Sequence, residues 1–256
     1  MKAMPLSTAA PQAPHKKAPT APSAPKIIFR TDGRSETLSL AAGESLLYVF
    51  FTQHVGGATN ATAGTPTPVA PATAAVGDAK DQELKFILQG RQAHIEVIGI
   101  DVARTGAAKV KLTIEHAQGD TRSQAQVKSV LGGNAHGEVH GLIKIDKGAD
   151  GSDAYFAHRT LLLANAAGKE QPHNHTVPAL EIEANEVKAG HASTTGTFDI
   201  MDIFYLLTRG LSEEQAQQLV LEGFVLSALE KIADVTTREQ AIKAAETRLA
   251  QLQEIR

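Results

Sequence analysis

The sequence predicts a mainly β core followed by a C-terminal α-helical segment, and three observations favour this fold class. Short apolar and alternating runs recur from Lys26 onward, divided by glycine-containing turns. Helical periodicity is absent between Leu84 and Ile145. Apolar spacings of three and four residues begin only after Asp199. Spaced strands with turn signals suit an all-β sandwich or a solenoid, and the residue patterns leave both open.

Composition narrows the class of protein. The chain has 256 residues, of which 42% are hydrophobic, so it can bury the core of one moderate or two small domains. A net charge of -3 gives no electrostatic reason to expect nucleic acid or an anionic membrane as a partner. No apolar run is long enough to span a membrane and the start lacks the apolar stretch of a signal peptide, so we expect a cytoplasmic protein.

The absence of cysteine excludes more kinds of site than any other feature of the composition. The chain contains none. A disulfide, a thiolate nucleophile and a cysteine-ligated zinc or iron-sulfur site are therefore excluded within this chain alone. No phosphate loop, nucleophile elbow or dinucleotide fingerprint is present either, because the glycines occur singly or in turn pairs.

The N-terminal third combines low-complexity segments with short strands. Residues 1–25 are rich in Ala, Pro, Thr, Ser and Lys and predict a disordered arm. Three strands are predicted around Ile27, Leu38 and Leu46. Residues 56–78 are again low in complexity and predict a loop between neighbouring strands.

Strand patterns continue through the middle of the chain. Five are predicted over 84–88, 93–102, 110–114, 123–131 and 139–145. Farther on, Leu180, Ile182 and Ala184 alternate with polar residues, which is typical of a half-buried strand, and a second short strand begins at Val187. The small and hydroxyl residues from Gly190 to Gly196 are too irregular for a helix interior.

Three helices are predicted after this point. The first begins near Asp199 and ends at Arg209-Gly210, with Ile203, Phe204, Leu206 and Leu207 on one face. Ser212 is a good N-cap for the second, whose predicted apolar face consists of Ala216, Leu219, Val220, Phe224, Leu226 and Leu229. After a break over 234–237, Thr236 or Thr237 can cap a third helix with an apolar seam of Ile242, Ala245, Leu249 and Leu252. The simplest partner for this seam is another part of the same chain.

The segment from Pro178 to Gly210 carries the most specific signal. It resembles the SufB/SufD family, the scaffold proteins of the SUF iron-sulfur cluster assembly system. The matching residues are Pro178, Leu180-Glu181-Ile182, Val187, His191, Thr194, Gly196, Phe204-Tyr205-Leu206, Arg209-Gly210 and Gly223-Phe224. Further matches include Ile114-Glu115-His116, Ser123, Val127-Lys128, Gly137, Gly141, Asp153-Ala154-Tyr155 and Arg159 to Leu163.

This resemblance covers about residues 83 to 232 and implies the fold. It predicts a right-handed parallel β-helix core over 26–198, interrupted by the 56–78 loop, and a C-terminal helical domain over 199–256. Two residues depart from the family's usual pattern, because Phe156 stands where glutamine is common and His158 where asparagine is common. We expect these departures to alter packing or polar contacts on one rung of the solenoid.

His191 is the strongest candidate for chemistry. The resemblance to the SufD branch implies that this histidine lies at the junction with SufB and takes part in building the nascent cluster, as an imidazole ligand to iron. The family usually has a cysteine two residues earlier, and this chain has Ala189. Glu181 or Glu183 could assist instead, although the strand alternation predicts that both face outward.

The other histidines give weaker signals. His136 and His140 are four residues apart, and on a strand that spacing separates them by roughly 13 Å, too far for one metal ion. His173 and His175 are predicted to lie in a polar loop before Pro178, where they could bind a metal adventitiously. His116 is predicted to be structural.

The resemblance implies a SufD-like, non-enzymatic scaffold in iron-sulfur cluster assembly. It would pair with a SufB-like chain or with itself through strands around Leu180 to His191, and it would dock the SufC-type ATPase through residues after Gly210. The candidate partner-binding residues are Phe204, Tyr205, Arg209, Gly210 and Phe224. No tightly bound cofactor is expected, although a transient cluster could be shared with a partner. The alternative is a homodimeric interaction scaffold that has lost cluster chemistry. A β-helix enzyme acting on polysaccharide is opposed by the low aromatic content.

Overall fold

The computed structural model describes residues 24–54, 80–163 and 171–253. The described strands are β1 (Lys26–Arg30), β2 (Glu36–Leu40), β3 (Ser45–Phe51), β4 (Lys80–Leu88), β5 (His94–Ala103), β6 (Ala107–His116), β7 (Arg122–Gly132), β8 (His136–Ile145), β9 (Asp153–Leu163), β10 (His173–Ile182) and β11 (Lys188–Gly196). The helices are α1 (Ile200–Thr208), α2 (Glu213–Leu229) and α3 (Val235–Gln253). The predicted arm over 1–25, apart from residues 24 and 25, and the predicted loop over 56–78 lie outside the described residues.

Successive strands alternate between two parallel sheets. The odd sheet has the order β1-β3-β5-β7-β9-β11, and the even sheet has the order β10-β8-β6-β4-β2. Every pairing is parallel. The chain therefore climbs by one rung after each pair of strands, which is the topology of a parallel β-helix rather than of an antiparallel sandwich. This confirms the predicted fold class, whereas the right-handed sense of the coil stays a prediction.

One apolar core fills the space between the two sheets. Alternate residues of β6 and β8 are buried, as expected for strands with one face toward a core. Phe156 is 1% exposed, and its ring occupies the space beside Gly141, where an added Cβ would lie 2.3 Å from the ring. His158 is buried and contacts the hydroxyls of Ser129 and Thr176. Phe156 thus contributes to the packing of its rung and His158 to its polar contacts, whereas a difference from the family's usual arrangement stays a prediction.

A second core lies on the outer face of the odd sheet, where α2 and α3 pack. The apolar seam of α3 contacts the odd sheet, and its buried members are Ala245, Leu249 and Leu252. Lys128 of β7 ties α2 to the sheet, because its ammonium group donates hydrogen bonds to the Phe224 carbonyl and to Ser227 Oγ, the latter at 2.7 Å. The seam thus packs within its own chain.

The ends of the first two helices lie where the sequence predicts them. Asp199 accepts a hydrogen bond from the Met201 N–H at the start of α1, and Gly210 follows the end of α1 with a φ of 92°. Ser212 and Gln215 form a capping box at the start of α2. Among the described residues, no helix is sufficiently long and apolar to cross a membrane.

Two predictions about the helices are wrong. The third helix begins at Val235, and its first turn is capped by Asp234, whose carboxylate accepts a hydrogen bond from the Thr237 N–H at 3.2 Å. Aspartate is at least as good a cap as threonine, and Asp234 lies two residues before Thr236, so the helix starts before either predicted cap. Leu219 is 49% exposed, because α2 turns Leu221 and Val225 toward the sheet instead.

Candidate functional site

The last rung of the described solenoid is open. β10 is the final strand of the even sheet and β11 is the final strand of the odd sheet. Within the described residues each strand is hydrogen-bonded on one side only, to β8 and to β9 respectively. Both strands are therefore edge strands at one end of the molecule, with backbone groups available to another strand.

His191 lies on this open rung. In β11 it is in register with Phe156 of β9, while Ala189 is in register with Ala154. Phe156 and Ala154 belong to the core between the sheets, and Ala189 packs against the same core. Because residues in register on parallel strands project to the same side, His191 is on the inner side of the odd sheet. It is nevertheless exposed, since no further rung covers it in the described chain.

The carboxylates proposed to assist His191 lie elsewhere. Glu181 is in register with Lys144 on the outer side of the even sheet, and Glu183 is exposed just after the end of β10. In the described ranges, His191 is not part of any group of three or more side chains that could ligate one metal ion. An iron site at His191 therefore requires further ligands from outside the described residues.

A polar group behind the open rung joins β10 to β11. Asn174 Nδ2 donates to Thr176 Oγ1 and to Thr195 Oγ1, each at 3.0 Å. Thr176 Oγ1 also lies 2.7 Å from Nδ1 of the buried His158. Burial lowers the pKa of His158 to about 4, so this imidazole is neutral at physiological pH. The rung that carries His191 is thus held by neutral hydrogen bonds.

Helix α1 presents an apolar surface to solvent directly after β11. This surface, called the α1 face below, consists of Ile200, Met201, Phe204, Tyr205 and Leu207, all of them exposed. Ile203 and Leu206 are half-buried and are turned toward the protein. Of the residues predicted to share one face, Ile203 and Leu206 are thus partly covered by the protein, whereas Phe204 is 60% exposed.

The remaining candidate partner-binding residues have contacts within the chain. The Arg209 guanidinium lies over the Tyr205 ring, 5.0 Å from its centroid. Gly210 supplies the positive φ that ends α1. Phe224 is half-buried in the core under α2, with the Lys128 ammonium 4.8 Å from its ring centroid. Tyr205 and Arg209 remain at the surface, whereas Phe224 packs against the odd sheet.

The histidine pairs meet across strands rather than along one strand. The sequence prediction that His173 and His175 lie in a loop is wrong, because both belong to β10 and are in register with His136 and Glu138 of β8. The rings of His136 and His173 stack with their centroids 4.9 Å apart. Two residues farther along the strands, ligand atoms of Glu138, His140 and His175 all lie within 4.8 Å of one another.

Glu138 cannot be found from distances along a single strand, because His175 belongs to the neighbouring strand. An edge strand bears polar residues on its exposed face, and in β10 these residues resembled a loop. The available signal was that side chains able to bind a metal recur at alternate positions in two segments, His136-x-Glu138-x-His140 and His173-x-His175. Parallel register then brings the two segments side by side.

Comparison with known proteins identifies the family that this sequence matches. Residues 71–224 match the sequence model of the SufBD core domain of the SUF system for FeS cluster assembly. An iron-sulfur cluster assembly SufBD family protein of Mycobacterium leprae is 37% identical over 169 residues, which cover 62% of this chain and 42% of the relative.

Two relatives carry the name iron-sulfur cluster assembly protein SufD. The Escherichia coli protein is 30% identical over 50% of this chain and 29% of its own length. The Bacillus subtilis protein is 25% identical over 68% of this chain and 36% of its own length. The chain thus spans less than half the length of each of these relatives.

Proposed function

This chain belongs to the SufBD family of iron-sulfur cluster assembly proteins, and from that premise we propose that it is a SufD-like scaffold subunit in cluster assembly. One observation carries the proposal: the exposed His191 lies on the open last rung of the solenoid, in a chain without cysteine. The subunit supplies architecture and one imidazole, and ATP hydrolysis belongs to a partner.

The cluster is cargo that two chains hold together. Iron-sulfur clusters are bound mainly by cysteine thiolates, and imidazoles replace some of these in certain centres. Since this chain has no thiolate, the cysteines come from a SufB-like partner. His191 faces the side of the odd sheet on which Ala189 and the core lie, and it remains accessible to such a partner. Its role is to offer an iron ligand at the junction of the two chains.

The SufB-like chain pairs through the edges of β10 and β11. Exposed strand edges recruit further strands through backbone hydrogen bonds. The residues of β11 from Ser193 to Gly196 are exposed, so no side chain of the described ranges covers an added strand there. Pairing at this edge puts the partner beside His191.

The SufC-type ATPase docks on the α1 face. Contiguous exposed apolar residues on a helix are typical of protein interaction sites. Phe204 and Tyr205 are the large aromatic side chains of this face, and the Arg209 guanidinium lies on the Tyr205 ring. Aromatic residues and arginine are the side chains that most often dominate binding energy at interfaces.

A homodimeric scaffold without cluster chemistry is the second candidate. Ala189 favours it, because the family usually has a cysteine at this position, two residues before His191. That cysteine would be the obvious second ligand for a cluster. The same open edges of β10 and β11 then pair with a second copy of the chain.

Light scattering on purified mixtures tests the pairing. We expect the chain to form a one-to-one complex with a SufB-like partner and the variant Thr194→Lys to lose it, because an added lysine on an edge strand opposes strand pairing. The matched control is Thr37→Lys, the same change on β2 at the opposite end of the even sheet. A complex that survives Thr194→Lys contradicts pairing at β11, and a stable homodimer without affinity for the partner favours the second candidate.

A further inference from the structure

We propose that Glu138, His140 and His175 form a binding site for a divalent transition-metal ion such as Zn²⁺ or Fe²⁺. The three residues lie on the outer side of the even sheet, where β8 supplies Glu138 and His140 and β10 supplies His175. This site is separate from His191, which belongs to β11 of the odd sheet and faces the inner side. Metal binding here does not depend on the assembly role.

The geometry of the two strands assembles the donors. Glu138 and His140 are alternate residues of β8 and thus share one face, and His175 of β10 is in register with Glu138. One ligand atom from each side chain lies within 4.8 Å of the other two. Donors at 2.0–2.1 Å from a tetrahedral zinc ion are roughly 3.3 Å apart, so rotation of the side chains closes the remaining gap. All three residues are at least partly exposed, and an ion can therefore enter from solvent.

The chemistry of the donors selects the class of metal. Two imidazoles and one carboxylate are the protein ligands of many zinc sites with an open position and of non-haem iron(II) centres. Magnesium prefers an all-oxygen environment and keeps most of its water, so this set discriminates against it. The remaining coordination positions are left to water or to another ligand.

The contacts of Glu138 are compatible with metal binding. Its Oε1 lies 2.5 Å from His140 Nε2 and 2.7 Å from the Lys109 ammonium. A carboxylate has two oxygens and about four acceptor positions, so Glu138 can keep the lysine through one oxygen and turn the other to an ion. Partial burial raises the pKa of Glu138, but hydrogen bonds from Lys109 and His140 outweigh this effect and hold that pKa below its usual value.

The stacked pair of His136 and His173 supplies the control. These imidazoles lie on the same two strands and on the same side of the sheet, two residues before Glu138 and His175. Among the described residues they are not part of a group of three converging ligands. Removing one of them preserves the exposed histidine-rich character of the surface while leaving the proposed site intact.

Isothermal titration with ZnCl₂, after treatment with a chelator, tests the site on the full chain. We expect one zinc ion per chain and no measurable Mg²⁺ binding. Removing a hydrogen-bonding partner behind a metal ligand typically lowers metal affinity by roughly 10- to 100-fold. Removing a ligand itself, in His140→Ala or His175→Ala, should lower the zinc affinity by more than this. His173→Ala should bind zinc as the wild type does. Zinc should also raise the melting temperature of the wild type and of His173→Ala, but not that of His175→Ala.

These variants distinguish a specific metal site from diffuse zinc binding to the surface. Equal losses in His173→Ala and His175→Ala would mean that zinc binds the histidine-rich face diffusely, and that result overturns the proposal. So does unchanged zinc affinity in a variant that lacks Glu138, His140 and His175 together. Because these side chains point outward, circular dichroism should show the same folded spectrum for each variant.

Discussion

Gly141 on β8 and Phe156 on β9 share one space in the core between the sheets. A Cβ added at Gly141 would lie 2.3 Å from the Phe156 ring. We predict that Gly141→Ala lowers the free energy of unfolding by about 1–3 kcal/mol, the usual cost of overpacking. Gly196→Ala is the control, because no atom of the described residues lies within 4 Å of a Cβ at that position. Urea denaturation measures both, and equal stability of the two variants would contradict this account of the core.

The buried His158 makes the fold sensitive to acid. Its pKa is lowered by burial from 6.5 to about 4. Between these values the unfolded chain binds the proton that the folded chain excludes, so stability is present above pH 6.5 and is lost as the pH falls toward 4. A shift of this size corresponds to about 3 kcal/mol.

The variant His158→Asn tests this dependence. We predict that its unfolding free energy falls less steeply between pH 6.5 and 4 than that of the wild type, whatever its stability at neutral pH. His116 retains a similar contribution in both proteins, since burial also lowers its pKa to about 4. Parallel pH profiles of the variant and the wild type would show that His158 is not the group responsible.

Among the helices, α1 carries an exposed apolar face that we propose serves binding of a partner rather than stability of the fold. Phe204 and Leu207 are exposed, so we predict that Phe204→Ser with Leu207→Ser changes the stability by less than about 0.5 kcal/mol. The same double variant should weaken binding of a SufC-type ATPase by about tenfold or more, which corresponds to ~1.4 kcal/mol. Surface plasmon resonance measures the affinity.

The control for that variant is Leu219→Ser, which removes an exposed apolar side chain from α2 instead. It should leave ATPase binding unchanged. If Leu219→Ser weakens the ATPase as much as the α1 variant does, the docking surface is not α1. If neither variant affects binding, the ATPase docks elsewhere on the chain.

Most elements could be predicted from local patterns, and the exceptions have physical causes. Strands with one buried face, such as β6 and β8, show the alternation that sequence analysis detects. Local patterns predict a loop at the start of β10, because an edge strand carries polar side chains such as His173 and His175. They do not locate the cap of α3, because Asp234 and the two threonines after Val235 are all suitable caps.

For the whole molecule, residue patterns alone do not predict that the rungs stack with their strands in parallel. Alternation specifies a strand with a buried face but not the neighbour with which it pairs. The resemblance to a family supplied the solenoid, and the register then explains why Glu138, His140 and His175 converge. His191 could be singled out by its motif, whereas its exposed position on the last rung depends on where the stacking ends.

Our main proposal is that the open end of this solenoid takes part in cluster assembly through His191. Its most direct test is anaerobic affinity capture from the native host, with the wild type and His191→Ala in parallel and with partner chains and iron measured in the same samples. We predict that the wild type retains a SufB-like chain, a SufC-like ATPase and iron, and that His191→Ala retains both chains but loses iron. Capture of neither chain, or equal iron in the two samples, would contradict the claim.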